Sequence, residues 1–158
     1  NPFVMQTLKN RDDVHVLFDS SKIPGEIIAM VVVSEKTLET DAGKRFAKAI
    51  CEAFYVLNEK IENKDTRKKK VRELGRKFPD LNAEEMEEVV KATVFYKTAK
   101  EGQALFAGEA LKKTMTTVVK FCKDHDMVKK APMIGYGAEK KAGSNLRFDP
   151  SYMAAAGK

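Results

Sequence analysis

Asp19, Ser20 and Ser21 are the residues whose types and spacing most readily do chemistry, because they follow directly on the apolar stretch Val14-His15-Val16-Leu17-Phe18. A loop at the end of a strand offers short polar side chains to a ligand. An ionised Asp accepts hydrogen bonds only and suits an ammonium or amide N–H, whereas a serine hydroxyl serves donors and acceptors alike. The same Asp-Ser-Ser-x-x-Pro-Gly composition is also what a plain turn is made of, and both readings stand at this level. Glu26 follows the Pro24-Gly25 pair. It opens the next apolar run, where an exposed carboxylate at a strand start is the plainer reading and a hinge-lining group the sharper one.

The other chemically suggestive residues lack partners at useful spacing. His15 alternates with Val14 and Val16 and reads as a surface histidine or one satisfied by its neighbours. His125 stands in Asp124-His125-Asp126 at the end of a helical pattern, where a cationic ring complements the helix dipole, and this competes with a metal-ligand reading. Cys51 and Cys122 fit no Cys-x-x-Cys spacing. Buried free thiols are the simpler reading, with a disulfide as the alternative in an oxidising compartment. Gly135-Tyr136-Gly137 lacks the G-x-G-x-x-G pattern and reads as a turn. No Ser/His/Asp or Cys/His set occurs in ordered proximity, so catalysis is not expected.

The elements that must position the loop follow from periodicity. Pro2 to Lys9 suits a short helix with proline in its first turn. Val14–Phe18 reads as a strand, and Ile27 to Val33, apolar nearly throughout, as a strand covered on both faces. Ser34 is expected to cap a short turn, and Asp41 a long helix with Phe46, Ile50, Ala53, Phe54, Leu57 and Ile61 on its inner stripe. A helix from about Thr66 carries Val71, Leu74 and Phe78 and ends at Pro79. Asn82 with Glu85 and Thr98 with Glu101 have capping-box spacing. Gly108 starts the last long helix, with Leu111, Met115, Val118, Val119 and Cys122 facing inward. After Asp126 the pattern becomes a loop anchored by Phe148 or Tyr152. The expected class is α/β, helix-rich, with few strands.

Bulk properties narrow the function classes. The length of 158 residues and the 43% hydrophobic content are those of a folded chain with one domain as the default. The longest apolar run, seven residues, is well short of the roughly 18 that a membrane span needs. The opening Asn1-Pro2-Phe3 has none of the pattern of a targeting signal, so the front of a longer protein is expected upstream. The net charge of +6 invites a polyanion partner. Yet basic residues are interspersed with Glu, and the dense run Arg67 to Lys70 reads first as a solvated helix face.

Two strands with several helices do not complete a doubly wound sheet, and the order of segments resembles the second half of a two-lobed periplasmic solute-binding protein. The similarity is to the nitrate/sulfonate/taurine family of ABC-transporter components, in its urea/amide-type branch. Asn1-Pro2-Phe3 resembles the motif opening a helix of the second lobe, and Val16-Leu17-Phe18-Asp19-Ser20 resembles the strand that ends at the ligand cleft. Ile27 to Val33 resembles the crossover strand back to the first lobe. Phe95-Tyr96-Lys97, Met115 to Cys122 and Phe148-Asp149-Pro150-Ser151-Tyr152-Met153 look like family members as well.

The resemblance implies the C-terminal portion of a type II two-lobe binding-protein fold. Residues 1–26 would end the second lobe, and residues 27–158 would form the crossover, the helical part of the first lobe and the tail. It implies a non-enzymatic binder of a small nitrogen- or sulfur-containing solute such as taurine, a sulfonate, nitrate or urea. The ligand-binding candidates are then Asp19, Ser20, Ser21, Glu26 and, through its backbone, Asn1. A carboxylate at this strand end meets the amino group in taurine-type carriers. No metal or cofactor is implied, and the cysteine-rich motif of the related thiamine-pyrimidine synthases is missing. The expected partners are the solute and a membrane permease, without nucleic acid. The implied location is periplasmic or extracytoplasmic, with a lipid anchor upstream as one form of attachment. An exposed strand edge is expected to drive dimerisation or domain swapping. The alternative from another class is a small basic helical module that binds nucleic acid or protein through Arg67 to Lys77.

Overall fold

The computed structural model describes residues 2–78 and 81–157. Helix makes up 59% of the described residues, and two short parallel strands complete the regular structure among them. The helices are α1 (Pro2–Asn10), α2 (Glu35–Leu38), α3 (Asp41–Glu62), α4 (Lys64–Gly75), α5 (Ala83–Ala92), α6 (Ala99–Ala107), α7 (Glu109–Asp124) and α8 (Ser151–Ala156). The strands are β1 (Ile134–Tyr136) and β2 (Leu146–Phe148). The expected helix-rich, strand-poor class is therefore what the chain forms. Two compact units divide it: the chain up to Asp19 with Phe54–Lys97, and Ser20–Ala53 with the chain from Thr98 onward.

The first unit is built on α4 and α5. Ile61 at the end of α3, Val71 on α4, and Met86 and Val90 on α5 are buried together, with Leu57, Leu74, Leu81, Val89 and Phe95 packed around them. Local chemistry sets where these helices begin. The Asn63 side chain accepts from the Asp65 N–H at 2.9 Å and starts α4, two residues earlier than its apolar pattern suggests. The Asn82 side chain accepts from the N–H groups of Glu84 and Glu85, while the Glu85 carboxylate accepts from the Asn82 N–H at 2.9 Å. That is the expected capping box. α4 ends at Gly75, and Pro79, its expected stop, lies outside the described residues.

In α3 the buried stripe is rotated from the expected one. Ala47, Asn58 and Ile61 are buried, whereas Phe46 and Phe54 are exposed. Asn58 sits in the interior because its side-chain N–H donates to the Phe54 carbonyl at 2.8 Å, which removes the penalty of an unpaired amide. Thr40, not Asp41, caps this helix: its hydroxyl accepts from the Gly43 N–H at 3.0 Å. Ser34 caps α2 as expected.

Gly43 marks the closest backbone approach in the second unit. A Cβ at this position would lie 1.9 Å from the Thr37 carbonyl oxygen, a backbone atom with little room to yield. Helix propensity alone favours Ala over Gly by about 1 kcal/mol. The clash opposes this, and Gly43→Ala is expected to destabilise by about 1–3 kcal/mol. Urea unfolding followed by circular dichroism checks the sign; a gain in stability would show that α2 and α3 do not touch in this way.

The rest of the second unit packs α6 against α7 and α8, with the two strands alongside. The Thr98 and Glu101 capping box forms, and Gly108 precedes α7 as expected. Leu111 on α7 is 2% exposed, but Val118, from the same expected inner stripe, is open to solvent. β1 and β2 pair in parallel with Tyr136 opposite Phe148. The expected turn at Gly135-Tyr136-Gly137 is thus partly strand, and the expected terminal loop contains two strands and a helix. Three-residue strands carry almost no periodicity, which is why the pattern does not reveal them.

Phe148, the expected anchor, is 3% exposed. It meets the Phe106 ring edge-on at 5.3 Å and stacks with Tyr136 at 5.6 Å. Its neighbours organise the tail. The Arg147 guanidinium donates to Asp149 at 2.9 Å and to the Ala138 carbonyl, and reaches Glu35 at 3.5 Å. Asp149 in turn accepts from the Ser151 N–H and hydroxyl at 2.9 and 2.6 Å, which fixes the start of α8.

Two expected strands do not form. Val14–Phe18 and Ile27–Val33 have no regular structure, and most of their side chains face solvent, with Leu17 99%, Ile27 74% and Val32 74% exposed; Val14, Ile28 and Val33 are half-buried. The expectation of a strand buried on both faces is therefore corrected. β-propensity supplies suitable side chains, but a strand exists only where its N–H and C=O rows meet a neighbouring strand. Neither segment pairs with another among the described residues.

Candidate functional site

The polar loop is built by two successive turns. Ser20–Lys22 form a single 3-10 turn, and the Ile23 N–H donates to the Ser20 carbonyl at 3.1 Å. The Glu26 N–H then donates to the Ile23 carbonyl at 3.2 Å. Pro24 occupies the position that favours a fixed negative φ, and Gly25 has φ +81°, as a type II turn demands. The Pro-Gly turn expected from the sequence is present for the expected reason.

This construction places Asp19, Ser20, Ser21 and Glu26 along one short exposed segment. All four side chains are open to solvent, so a ligand can reach them. Asn1, the fifth candidate, lies outside the described residues. In the chain the loop follows the apolar segment 14–18 and precedes the segment 27–33.

The remaining candidates have structural explanations. His125 follows α7 at its C-cap, and Asp126 adopts φ +54°. The Met127 N–H donates to the Cys122 carbonyl at 2.8 Å, and the Asp126 N–H to the Lys123 carbonyl at 3.2 Å. These are the two bonds of a Schellman helix end, with Asp in the left-handed position usually held by glycine or asparagine. The His125 ring lies 4.0 Å from that of Phe121. Among the described residues, no group of three His, Cys, Asp or Glu side chains is placed to hold a metal ion. Cys51 and Cys122 are free and half-buried, and burial, followed by nearby Glu52, pushes the Cys51 thiol up from its ordinary pKa. His15 is on the surface.

A groove of about 980 Å³ opens within the first unit, between α1, α4 and α5. Met5, Leu8, Val71 and Leu81 give it an apolar floor, and two ion pairs flank it. Lys9 meets Glu85 at 3.1 Å, and Arg67 meets Glu87 at 2.5 Å. The Asn82 N–H, and then Lys9, hold the Glu85 carboxyl below the usual carboxylate range. Arg67 also donates to the Ile61 carbonyl at 3.0 Å, and the hydrogen bond to Glu87 raises its already high pKa. Arg67 is therefore a bridge between α3, α4 and α5, not a fully solvated member of the basic run. Sequence spacing shows neither ion pair, since their partners lie 76 and 20 residues apart. None of the loop candidates lines this groove.

No helix among the described residues is long and apolar enough to cross a membrane. Compared with protein-family models, curated proteins and solved structures, the chain matches none.

Proposed function

We propose that the chain is the C-terminal part of the solute-binding component of an ABC importer, a reversible, non-catalytic binder that hands a small polar solute to a membrane permease. The observation that carries the proposal is the formed polar loop at Asp19 to Glu26, flanked by two exposed apolar segments of strand composition. Bare Leu17, Ile27, Val31 and Val32 are costly in water, at about 25 cal/mol for each Å² of apolar surface left unburied. Neighbouring strands of a two-lobed sheet would remove that cost and bring the loop to the cleft at the strand ends. The segment order supports the same reading. The same exposed segments favour pairing with a second copy when no neighbouring strand is present.

In this reading Asp19 accepts from an ammonium or amide N–H of the solute, while Ser20 and Ser21 complete its hydrogen bonding. Glu26 lies at the start of the crossover, and Asn1 contributes a backbone group. The helix-rich part that follows the loop in the chain would belong to the first lobe, against which the second lobe closes. The solute class is nitrogen- or sulfur-containing: taurine and other sulfonates, nitrate, urea and short amides.

A thermal-shift screen of the intact protein with these solutes tests the proposal. One of them should raise Tm, since a ligand at a hundred times its Kd stabilises the native state by about 2.7 kcal/mol. Asp19→Ala should then weaken that solute by about 10- to 100-fold, the range for losing a hydrogen bond to a charged group. Unchanged affinity in Asp19→Ala removes Asp19 from the site, and no stabiliser among these solutes overturns the proposed function.

A further inference from the structure

The charge of the chain is concentrated in one place. Of 29 Lys and Arg and 23 Asp and Glu residues, eight basic and two acidic ones lie between Lys64 and Phe78. The remainder of the chain is therefore electrically balanced, and the whole excess belongs to α4 and the turn after it. Two of these cations are engaged internally, Arg67 with Glu87 and Lys70 with Glu73. Lys68, Lys69, Arg72 and Arg76 are not within ion-pair distance of a carboxylate among the described residues, and all four are exposed. Their spacing of three and four residues puts them on one stripe of the helix. Lys68, at the edge of the stripe, also lines the groove between α1, α4 and α5 with Glu84 and Glu87. The carboxylate within the stripe is Glu73; its hydrogen bond to Lys70, together with Lys69 and Arg76, holds it below the usual range and so charged. It offsets one cation only.

The stripe ends on an apolar ring. Lys77 follows Arg76, and Phe78 is 46% exposed. A convex helix face can set all its cations against a flat anionic surface at once, and a neighbouring aromatic ring can enter the boundary between headgroups and acyl chains. Clusters of four to eight Lys and Arg on a helix have the charge density that anionic lipid headgroups recognise. Duplex nucleic acid is the weaker match, because a single convex stripe with one terminal ring offers few groups to read a groove or stack on bases.

We propose that Lys68, Lys69, Arg72 and Arg76, with Phe78 at their end, form a docking face for the surface of a bilayer rich in anionic phospholipid. The face holds the protein at the membrane independently of which solute it carries. Its test shares no readout with the solute screen, so either can fail alone.

Sedimentation with vesicles containing phosphatidylglycerol, against vesicles of phosphatidylcholine alone, provides the experiment. The protein should bind the first and not the second, and added salt should release it. Each cation at such a surface contributes about a fivefold change in affinity. Neutralising three of them in Lys68→Gln/Lys69→Gln/Arg72→Gln should therefore weaken binding by about a hundredfold. Replacing Lys68 and Lys69 by Arg should preserve it. Lys123→Gln/Lys129→Gln/Lys130→Gln removes the same charge from exposed positions elsewhere and should change binding little. Phe78→Ala should weaken binding without altering its salt dependence. Because these side chains are exposed, the circular dichroism of every variant should match that of the parent. Equal binding to both vesicle types, no binding at all, or an equal loss in the two triple variants overturns the proposal. Tighter binding to duplex DNA than to anionic vesicles at the same ionic strength also overturns it, and assigns the stripe to nucleic acid instead.

Discussion

Phe148→Ala should lower the unfolding free energy by about 3–5 kcal/mol, the range for removing a fully buried aromatic ring. The ring is the point where three parts of the second unit meet. It closes the register of β1 and β2 opposite Tyr136, stacks on that ring, and presents its edge side to Phe106 of α6. Its removal leaves a cavity between a helix and two strands too short to survive on their own backbone bonds. The loss should spread to the Arg147 and Asp149 contacts that fix the tail and the start of α8. Phe148→Leu keeps much of the volume and should recover a large part of the stability. Urea unfolding followed by near-ultraviolet circular dichroism reads both variants. A loss below about 1 kcal/mol for the alanine variant is what an exposed surface residue gives, and would place the ring outside the core.

Met86→Ala is expected to cost about 2–5 kcal/mol. Met86 is buried among Ile61 of α3, Val71 of α4 and Val90 of α5, so truncation removes one contact surface from each. A methionine is flexible, and its neighbours can close part of the gap, which places the effect in the lower half of that range. Leu should substitute with little loss, since it conserves volume and apolarity. Amide hydrogen exchange locates the damage: protection should fall first in α4 and α5, the helices that lose their shared core. Unchanged exchange across α5 would show that the helix owes its stability to its capping box and not to this cluster.

The two variants also separate kinds of information in the chain. Met86 is legible from sequence, because Met86, Val89 and Val90 recur at helical spacing behind an Asn82 and Glu85 capping box, and all the atoms that decide the helix start lie within four residues. Phe148 is legible as an anchor but not as a strand residue. Its partners, Tyr136 and Phe106, lie 12 and 42 positions away, and no local pattern selects them. In α3 the helix itself was readable, but its buried face was not: Asn58 takes an interior position that a hydrophobic count assigns to Phe54. A carbonyl four residues back satisfies its amide, and hydropathy does not register such a bond.

The candidate site divides in the same way. The turn at Ile23 to Glu26 follows from Pro24 and Gly25 alone, because φ preferences act within one residue. Asp124-His125-Asp126, which invites a metal reading, is accounted for by helix-end hydrogen bonds from the neighbouring backbone. By contrast, Val14–Phe18 and Ile27–Val33 have the composition of strands and do not form them. Pairing is a property of two segments, and neither of these is paired with another among the described residues.

The sequence by itself determined the capping boxes that start α5 and α6, the Pro-Gly turn, the strand-poor class and the excess of positive charge between Lys64 and Lys77, all of them local properties of the chain. Tertiary structure alone decided that Arg67 bridges to Glu87, that α3 buries Asn58, that β1 and β2 pair in the tail, and that the apolar segments on either side of Asp19 to Glu26 remain bare. These rest on the packing of whole elements against one another and not on the preferences of any one of them.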